Sequence, residues 1–185
     1  MRTSALGDPD YPGRLVRLGA PAPPRVWWRG VLPDPTAPAV AVVGVRAPGP
    51  AGRARARAAV ERAVARGAVV VSGLSPGVDA VVHARCVDLG GVGLAVVGGG
   101  ADVTEDDELA ALADALVAGG GAVLALRPPG SPVTPAGRRA RCPVQVVFAD
   151  SVEVAELGGP DDGTRVTVES ARRLGVPLTL PPTSR

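Results

Sequence analysis

The stretch VVVSGLSPGVDAVVH, from Val69 to His83, decides how the rest of the chain is read. Its opening, together with Ala68, is an apolar run of strand length without polar alternation, the pattern of a strand covered on both faces. The run stops at Ser72-Gly73, turns through Pro76-Gly77 and restarts as a helix at Asp79. A strand feeding a helix through a short glycine-bearing turn is half of a βαβ unit. Glycine at such a turn has two uses: it lets backbone amides approach an anion at the helix amino terminus, or it simply permits a tight connection.

Outward from this stretch the same alternation recurs. Further strand-length apolar runs occupy Ala39 to Gly44, Leu94 to Gly99, Ala122 to Leu126, Val144 to Phe148 and Val176 to Leu180. Helical patterns lie between them, over Ala51 to Arg66, Asp79 to Leu89, Glu105 to Ala118, Asp150 to Glu156 and Thr167 to Leu174. Strand and helix taking turns predict an α/β fold, a doubly wound, mostly parallel sheet with helices on both faces and right-handed crossovers. Loops leaving the carboxyl ends of such strands gather at one edge, where reversal of strand order opens a crevice. Gly44, then Ser72, Gly73 and Gly77, then Gly99 and Gly100 all follow strand ends and are candidates for that edge.

Composition agrees. The 185 residues are 46% hydrophobic but only 2% aromatic, so a single core must be filled mainly by Ala, Val and Leu. Residues 1–38, with DPDYP, APAPP and LPDPTAP, exclude long helices and are expected to be an extended, turn-rich extension packed on a core domain of residues 39–185. Trp27 and Trp28 within it are expected to pin the extension to the body of the domain.

All 20 basic residues are arginine, and the net charge of +2 does not by itself mark a nucleic-acid binder. Cys86 and Cys142 belong to no metal-ligand or disulfide pattern, so no metal site or cofactor is expected and a reduced, cytoplasmic setting fits. No signal-peptide pattern and no membrane-length apolar run is present. Arg53 with Arg57, and Arg62 with Arg66, form a basic stripe at helical spacing, best read as a solvated face. The acidic group Asp102, Glu105, Asp106, Asp107 and Glu108 surrounds a helix start, where carboxylates complement the helix dipole and one of them caps.

Several segments then line up in order with one family. YPGRLVRLGAPAPPRVWWRGVL (Tyr11 to Leu32), VVGVRAPGPAG (Val42 to Gly52), SGLSPGVDAVVH (Ser72 to His83), LAVVGGGAD (Leu94 to Asp102), GAVLALRPPG (Gly121 to Gly130) and DGTRVTVESARRLGVPL (Asp162 to Leu178) carry the likeness. Together they make the chain resemble the DNA-processing protein A family, DprA or Smf, reduced to its Rossmann-like core without the flanking helical and winged-helix domains. The resemblance implies a sequence-nonspecific single-stranded DNA-binding protein of DNA processing and recombination, not an enzyme. It also implies two protein partners, the RecA recombinase and a second copy of the chain.

Carried over by motif, the DNA- or phosphate-binding candidates are Gly44, Arg46, Ser72, Gly73, Gly77, Asp79, Gly99, Gly100, Arg138, Arg139, Arg141, Gly163 and Thr164. Departures are plain: Val45 replaces the serine of the family's VGSR, Ser75-Pro76 replaces Ala-Arg of SGLARG, and acid replaces the YP that follows GLD. TPAGRRARC (Thr134 to Cys142) stands at the family's basic FPxRNR segment, read here as a loop before a strand.

Two other functions compete. A crevice that has lost an arginine suits a closed pocket for a nucleotide or nucleotide-derived small molecule, making the chain a sensor. GGPDDGTRVTVE (Gly158 to Glu169) has a superficial likeness to a nucleotide-cleaving motif, but its spacing is wrong and Glu169 falls two positions late. His83, the only histidine, is expected to be structural, with Asp79 four residues earlier on the same helix face.

Overall fold

The computed structural model describes residues 1–20, 22–159 and 163–182. Eight strands form one sheet: β1 (Arg2–Ala5), β2 (Arg25–Gly30), β3 (Ala39–Gly44), β4 (Val69–Ser72), β5 (Gly93–Val97), β6 (Ala122–Ala125), β7 (Ser151–Glu156) and β8 (Leu178–Thr179). Among the described residues five α-helices connect them: α1 (Pro50–Ala65), α2 (Val78–Asp88), α3 (Asp107–Ala118), α4 (Pro135–Val147) and α5 (Gly163–Leu174). The strand order is β1-β2-β6-β5-β4-β3-β7-β8, parallel throughout except for β1 against β2 and β2 against β6. The mostly parallel, doubly wound sheet expected from the sequence is therefore present.

Alternate residues of each strand feed opposite layers, as a pleated sheet requires. Ala39, Ala41 and Val43 of β3, with Leu94, Val96 and Leu124, meet Val144, Val147, Val168 and Ala171 of α4 and α5. On the other face Val40, Val42 and Val70 pack on Ala56, Val60 and Ala63 of α1 and Val82 of α2, while Ala95, Val97 and Val123 pack on Leu109, Ala113 and Leu116 of α3. The chain covers one face with α1, α2 and α3, then crosses, and α4 and α5 cover the other. β3 is consequently flanked by β4 on one side and by β7 on the other, and the order reverses there. In an open α/β sheet that reversal leaves a crevice at the carboxyl strand ends.

Two assignments are exchanged relative to the sequence expectation. Val144 to Phe148, expected as a strand, forms the end of α4 with Phe148 as its C-cap. Residues 150–156, expected as a helix, contain strand β7. Pro143 lies inside α4 and reads as a helix break, yet it forfeits only its own amide bond, and Val144, Gln145, Val146 and Val147 are all buried, which erases the one-sided pattern of a surface helix. In β7 the alternation is real: Val152 and Val154 turn inward while Glu153 reaches Arg62 at 2.5 Å. The segment around Arg138 to Arg141, expected as a loop, is likewise the first half of α4. α5 begins at Gly163, one turn before its expected start.

The proline-rich beginning is more ordered than an extended arm. Its prolines lie outside β1 and β2, and the strand segment RVWWRG pairs with β6 through Trp28↔Leu124. A 3-10 turn (Gly13–Leu18) buries Leu15 and Leu18. The two tryptophans alternate across the sheet: Trp28, 4% exposed, enters the α4–α5 layer, and Trp27 packs on the α3 layer. Arg14 ties this segment to the far side of the domain through Phe148 O at 2.9 Å and Asp150 Oδ1 at 3.0 Å. Among the described residues no helix is long and apolar enough to cross a membrane.

Trp28→Ala should destabilise the whole sheet by about 3–5 kcal/mol, the usual cost of emptying a buried indole site, read as a lower urea midpoint at unchanged slope.

Candidate nucleic-acid interface

The crevice at the β3 switch point is a cavity of about 260 Å³. Four segments wall it: the end of β3 with Gly44 and Arg46, the β4–α2 turn with Ser75 and Pro76, the first half of α4, and the amino terminus of α5 with Gly163, Thr164 and Thr167. Of the thirteen residues expected from sequence, Gly44, Arg46, Asp79, Arg138, Arg139, Arg141, Gly163 and Thr164 line it. Ser72, Gly73, Gly77, Gly99 and Gly100 do not.

Those five serve the protein's own packing. Ser72 is fully buried, its Oγ 2.7 Å from Val42 O and 3.1 Å from Asp79 Oδ1. A Cβ on Gly73 would collide with the Arg141 guanidinium and the Asp79 carboxylate. Gly77 has φ of 98°, and its α face lies against the Arg46 backbone, so no other residue fits there. At Gly99 the approaching groups are backbone of the 128–133 loop, with Ser131 O 2.7 Å from the added carbon, and at Gly100 they are the Asp102 carboxylate at 2.6 Å and Pro128 O at 2.8 Å. At Gly73, Gly77, Gly99 and Gly100 the absent Cβ makes room for the protein's own atoms. The first amide of α2 follows suit, since Val78 N donates to Val45 O at 3.0 Å.

A buried ion pair forms the floor. Arg141 Nη2 donates to Asp79 Oδ2 at 2.7 Å, and both side chains are 9% exposed. The same guanidinium donates to Val96 O at 3.0 Å and Ser75 Oγ at 3.2 Å, linking α4 to the ends of β4 and β5. Arg141 Nε, also buried, has no hydrogen-bond partner among the described residues. One arginine of the cluster is thus structural. Arg138 and Arg139 remain at the rim, Arg138 with 28% of its side chain exposed and Arg139 exposed.

Glu105 is the residue that the sequence reading missed. Asp106, its neighbour, is the cap of α3 and accepts from Leu109 N at 2.8 Å, as the acidic cluster suggested. Glu105 instead turns to the crevice, where it takes Arg46 Nη2 at 2.6 Å, Ser75 Oγ at 3.1 Å and Arg138 Nη1 at 3.8 Å. Its signal in the sequence was the placement of acid where the family has YP.

His83 sits behind the crevice, fully buried, with Nε2 donating to Gly73 O at 2.8 Å, so Nδ1 is the unprotonated nitrogen. Burial pushes its pKa down to about 4, against the smaller upward pull of Asp79 and the Gly73 bond. Burial likewise pushes the Cys86 thiol up to about 11. No group of three or more His, Cys, Asp or Glu side chains among the described residues could hold a metal ion. Residues 160–162, inside the Gly158 to Glu169 segment, lie outside the described residues.

Residues 2–184 match the family model of DNA recombination-mediator protein A. The chain belongs to that family. Protein Smf of Synechocystis sp. is 36% identical over 100 residues, covering 52% of this chain and 25% of its own length. Protein Smf of Escherichia coli is 33% identical over 119 residues, covering 64% and 29%. The aligned regions thus take up less than a third of these curated relatives. Among solved structures, DNA processing protein A (DprA) from Streptococcus pneumoniae superposes with a TM-score of 0.87 at 29% identity, over 99% of this chain and 63% of that one. The Helicobacter pylori DprA, for which a unique single-stranded DNA binding mode is described, gives 0.84 at 19% identity over 100% and 82%. A molybdenum cofactor binding protein from Rippkaea orientalis, at 0.57 and 16% over 78% of this chain, shares the fold alone.

Arg141→Ala should cost about 3–5 kcal/mol of stability because it leaves the Asp79 carboxylate buried without its partner, whereas Arg57→Ala, exposed on α1, should cost under about 0.5 kcal/mol; urea unfolding of both variants checks the contrast. The His83 shift carries a second expectation. Between pH 6.5 and about 4 the unfolded chain binds a proton that the folded chain refuses. The His83 contribution is therefore complete above pH 6.5 and is lost as pH falls towards 4, with a slope of up to about 1.4 kcal/mol per pH unit. Unfolding followed from pH 7 to 4.5 should show this slope in the native chain and a flatter one in His83→Gln.

Proposed function

We propose that this chain is a single-stranded DNA-binding module of DNA processing and recombination, which recognises phosphates without regard to sequence. One observation carries the reading: Arg46, Arg138 and Arg139 converge on a single crevice that also receives the amino terminus of α5 at Gly163 and Thr164. Guanidinium groups and a helix amino terminus are the donors that hold a phosphate, and neither reads bases. Family membership supports the same occupant, and so does the single-stranded DNA binding described for the H. pylori relative.

In this reading Arg46 and Arg138 grip one phosphate from opposite walls, Arg139 extends the positive rim, and Thr164 with the α5 amides faces the neighbouring phosphate. Asp79 and Arg141 act underneath, holding the β4–α2 turn and α4 at the separation the strand needs. Pro76 gives one wall an apolar lip without an amide hydrogen, so affinity rests on few contacts and falls in the micromolar range. The role is binding and not catalysis. RecA recombinase and a second copy of the chain are the protein partners that this role would engage, and a reducing cytoplasm suits two buried cysteines.

Fluorescence anisotropy of labelled oligo-dT tests the proposal. Saturable binding should weaken with salt at a log-log slope of about −0.7 per phosphate contact. Arg46→Ala and Arg138→Ala should each weaken it roughly fivefold or more, in line with the loss of one charge-assisted contact. Absence of dT binding at tens of micromolar protein, together with saturable binding of a mononucleotide, would transfer the crevice to a small-molecule sensor.

A further inference from the structure

Two of the arginines that should attract phosphate to the crevice already hold an anion. Glu105 draws Arg46 and Arg138, one from each wall, onto a single carboxylate and fastens that carboxylate with the Ser75 hydroxyl. Only 18% of its side chain is exposed, while Arg46 remains 47% exposed. A helix cap does not explain this placement, since the adjacent Asp106 makes the cap. Stability does not demand it either, because a partly exposed ion pair contributes little to folding. Arg46 and Ser75 donate hydrogen bonds to this carboxylate and Arg138 adds its charge from 3.8 Å, the surroundings that a phosphate of a bound strand would receive.

We propose that Glu105 is the specificity-determining residue of this site: its carboxylate occupies the phosphate position between Arg46 and Arg138, and excludes isolated phosphates in favour of a strand. The inference rests on the DNA-binding reading of the same crevice. Because it is tethered, the carboxylate competes at a high effective concentration and outcompetes a free monoanion or dianion, which gains only what Glu105 gives up. A strand brings several phosphates at once. Contacts to Arg139 and the α5 terminus hold it nearby while one phosphate displaces the carboxylate, so only a multidentate ligand offsets the loss. Specificity built by penalising the wrong ligand is a general device, and here it would keep inorganic phosphate and mononucleotides off a DNA site.

The test compares the wild-type chain, Glu105→Gln and Asp107→Asn. Asp107 is exposed in the first turn of α3, so its variant reproduces the change in net charge away from the crevice. Anisotropy with oligo-dT is measured across salt, with inorganic phosphate as competitor against chloride at matched ionic strength. Glu105→Gln should bind dT roughly three- to tenfold more tightly, steepen the salt slope by up to about 0.7, and become sensitive to inorganic phosphate; Asp107→Asn should behave as wild type. Equal behaviour of Glu105→Gln and wild type, or of the two variants, would overturn the proposal. Should no chain bind dT, the DNA-binding reading fails on its own, and thermal stabilisation by inorganic phosphate still decides the role of Glu105: stabilisation confined to Glu105→Gln supports it, and none in any chain overturns it.

Discussion

A buried guanidinium must find partners for its donors, and in this protein that requirement organises the crevice. Arg141 reaches down from α4 to meet Asp79 at the start of α2, the Ser75 hydroxyl in the β4–α2 turn and the Val96 carbonyl at the end of β5. Two separate stretches of sequence, residues 75–79 and the end of β5, are thereby tied to one planar group on a third. Gly73 is glycine because that group passes over it, and Ser72 is serine because its hydroxyl bridges the Val42 carbonyl and the other Asp79 oxygen. Replacing either partner alone would strand a charge in a low-dielectric interior, which makes the pair a constraint on geometry more than a source of net stability.

One helix therefore supplies arginines of two kinds. Arg138 and Arg141 are one turn apart on α4, yet the first reaches a carboxylate at the rim and the second is sealed in the floor. Exposure separates them: 28% of the Arg138 side chain is exposed and 9% of that of Arg141. Acidic residues repeat the division, Asp79 serving the floor and Glu105 the rim. The site is in effect two stacked layers of paired charge. The lower layer is buried, and the upper one stands at the mouth, where under the proposed function a strand phosphate would take the place of its internal anion.

Much of this was legible in the sequence. Continuous Ala/Val/Leu runs bounded by glycine mark β3, β4, β5 and β6, since a strand buried on both faces has no polar alternation to blur the pattern. The same logic failed around Val144 and Val147, where a helix buried nearly all round a proline produces an equally continuous run. It failed again at Ser151 to Glu156, where two glutamates made a strand look helical. In the crevice, motif position located Arg46, Arg138 and Thr164 correctly on the wall. Position could not say whether Gly73, Gly77, Gly99 and Gly100 make room for a ligand or for the protein's own atoms, because the missing Cβ is the same in both cases. Nor could it show Glu105 facing away from the helix that its neighbour caps.

The contact between Gly98 and Gly137 bears on how this site can change. A Cβ on Gly137 would overlap the Gly98 carbonyl, and one on Gly98 would lie 2.7 Å from the Arg138 amide nitrogen. Main chain thus rests directly on main chain where α4 crosses the end of β5, with no side chain between them to act as a bearing. Sliding or tilting the helix would drive two backbones into each other. The crevice therefore cannot narrow by pressing α4 closer to the end of β5, and any tightening around a ligand on that side must come from side-chain torsions such as those of Arg138.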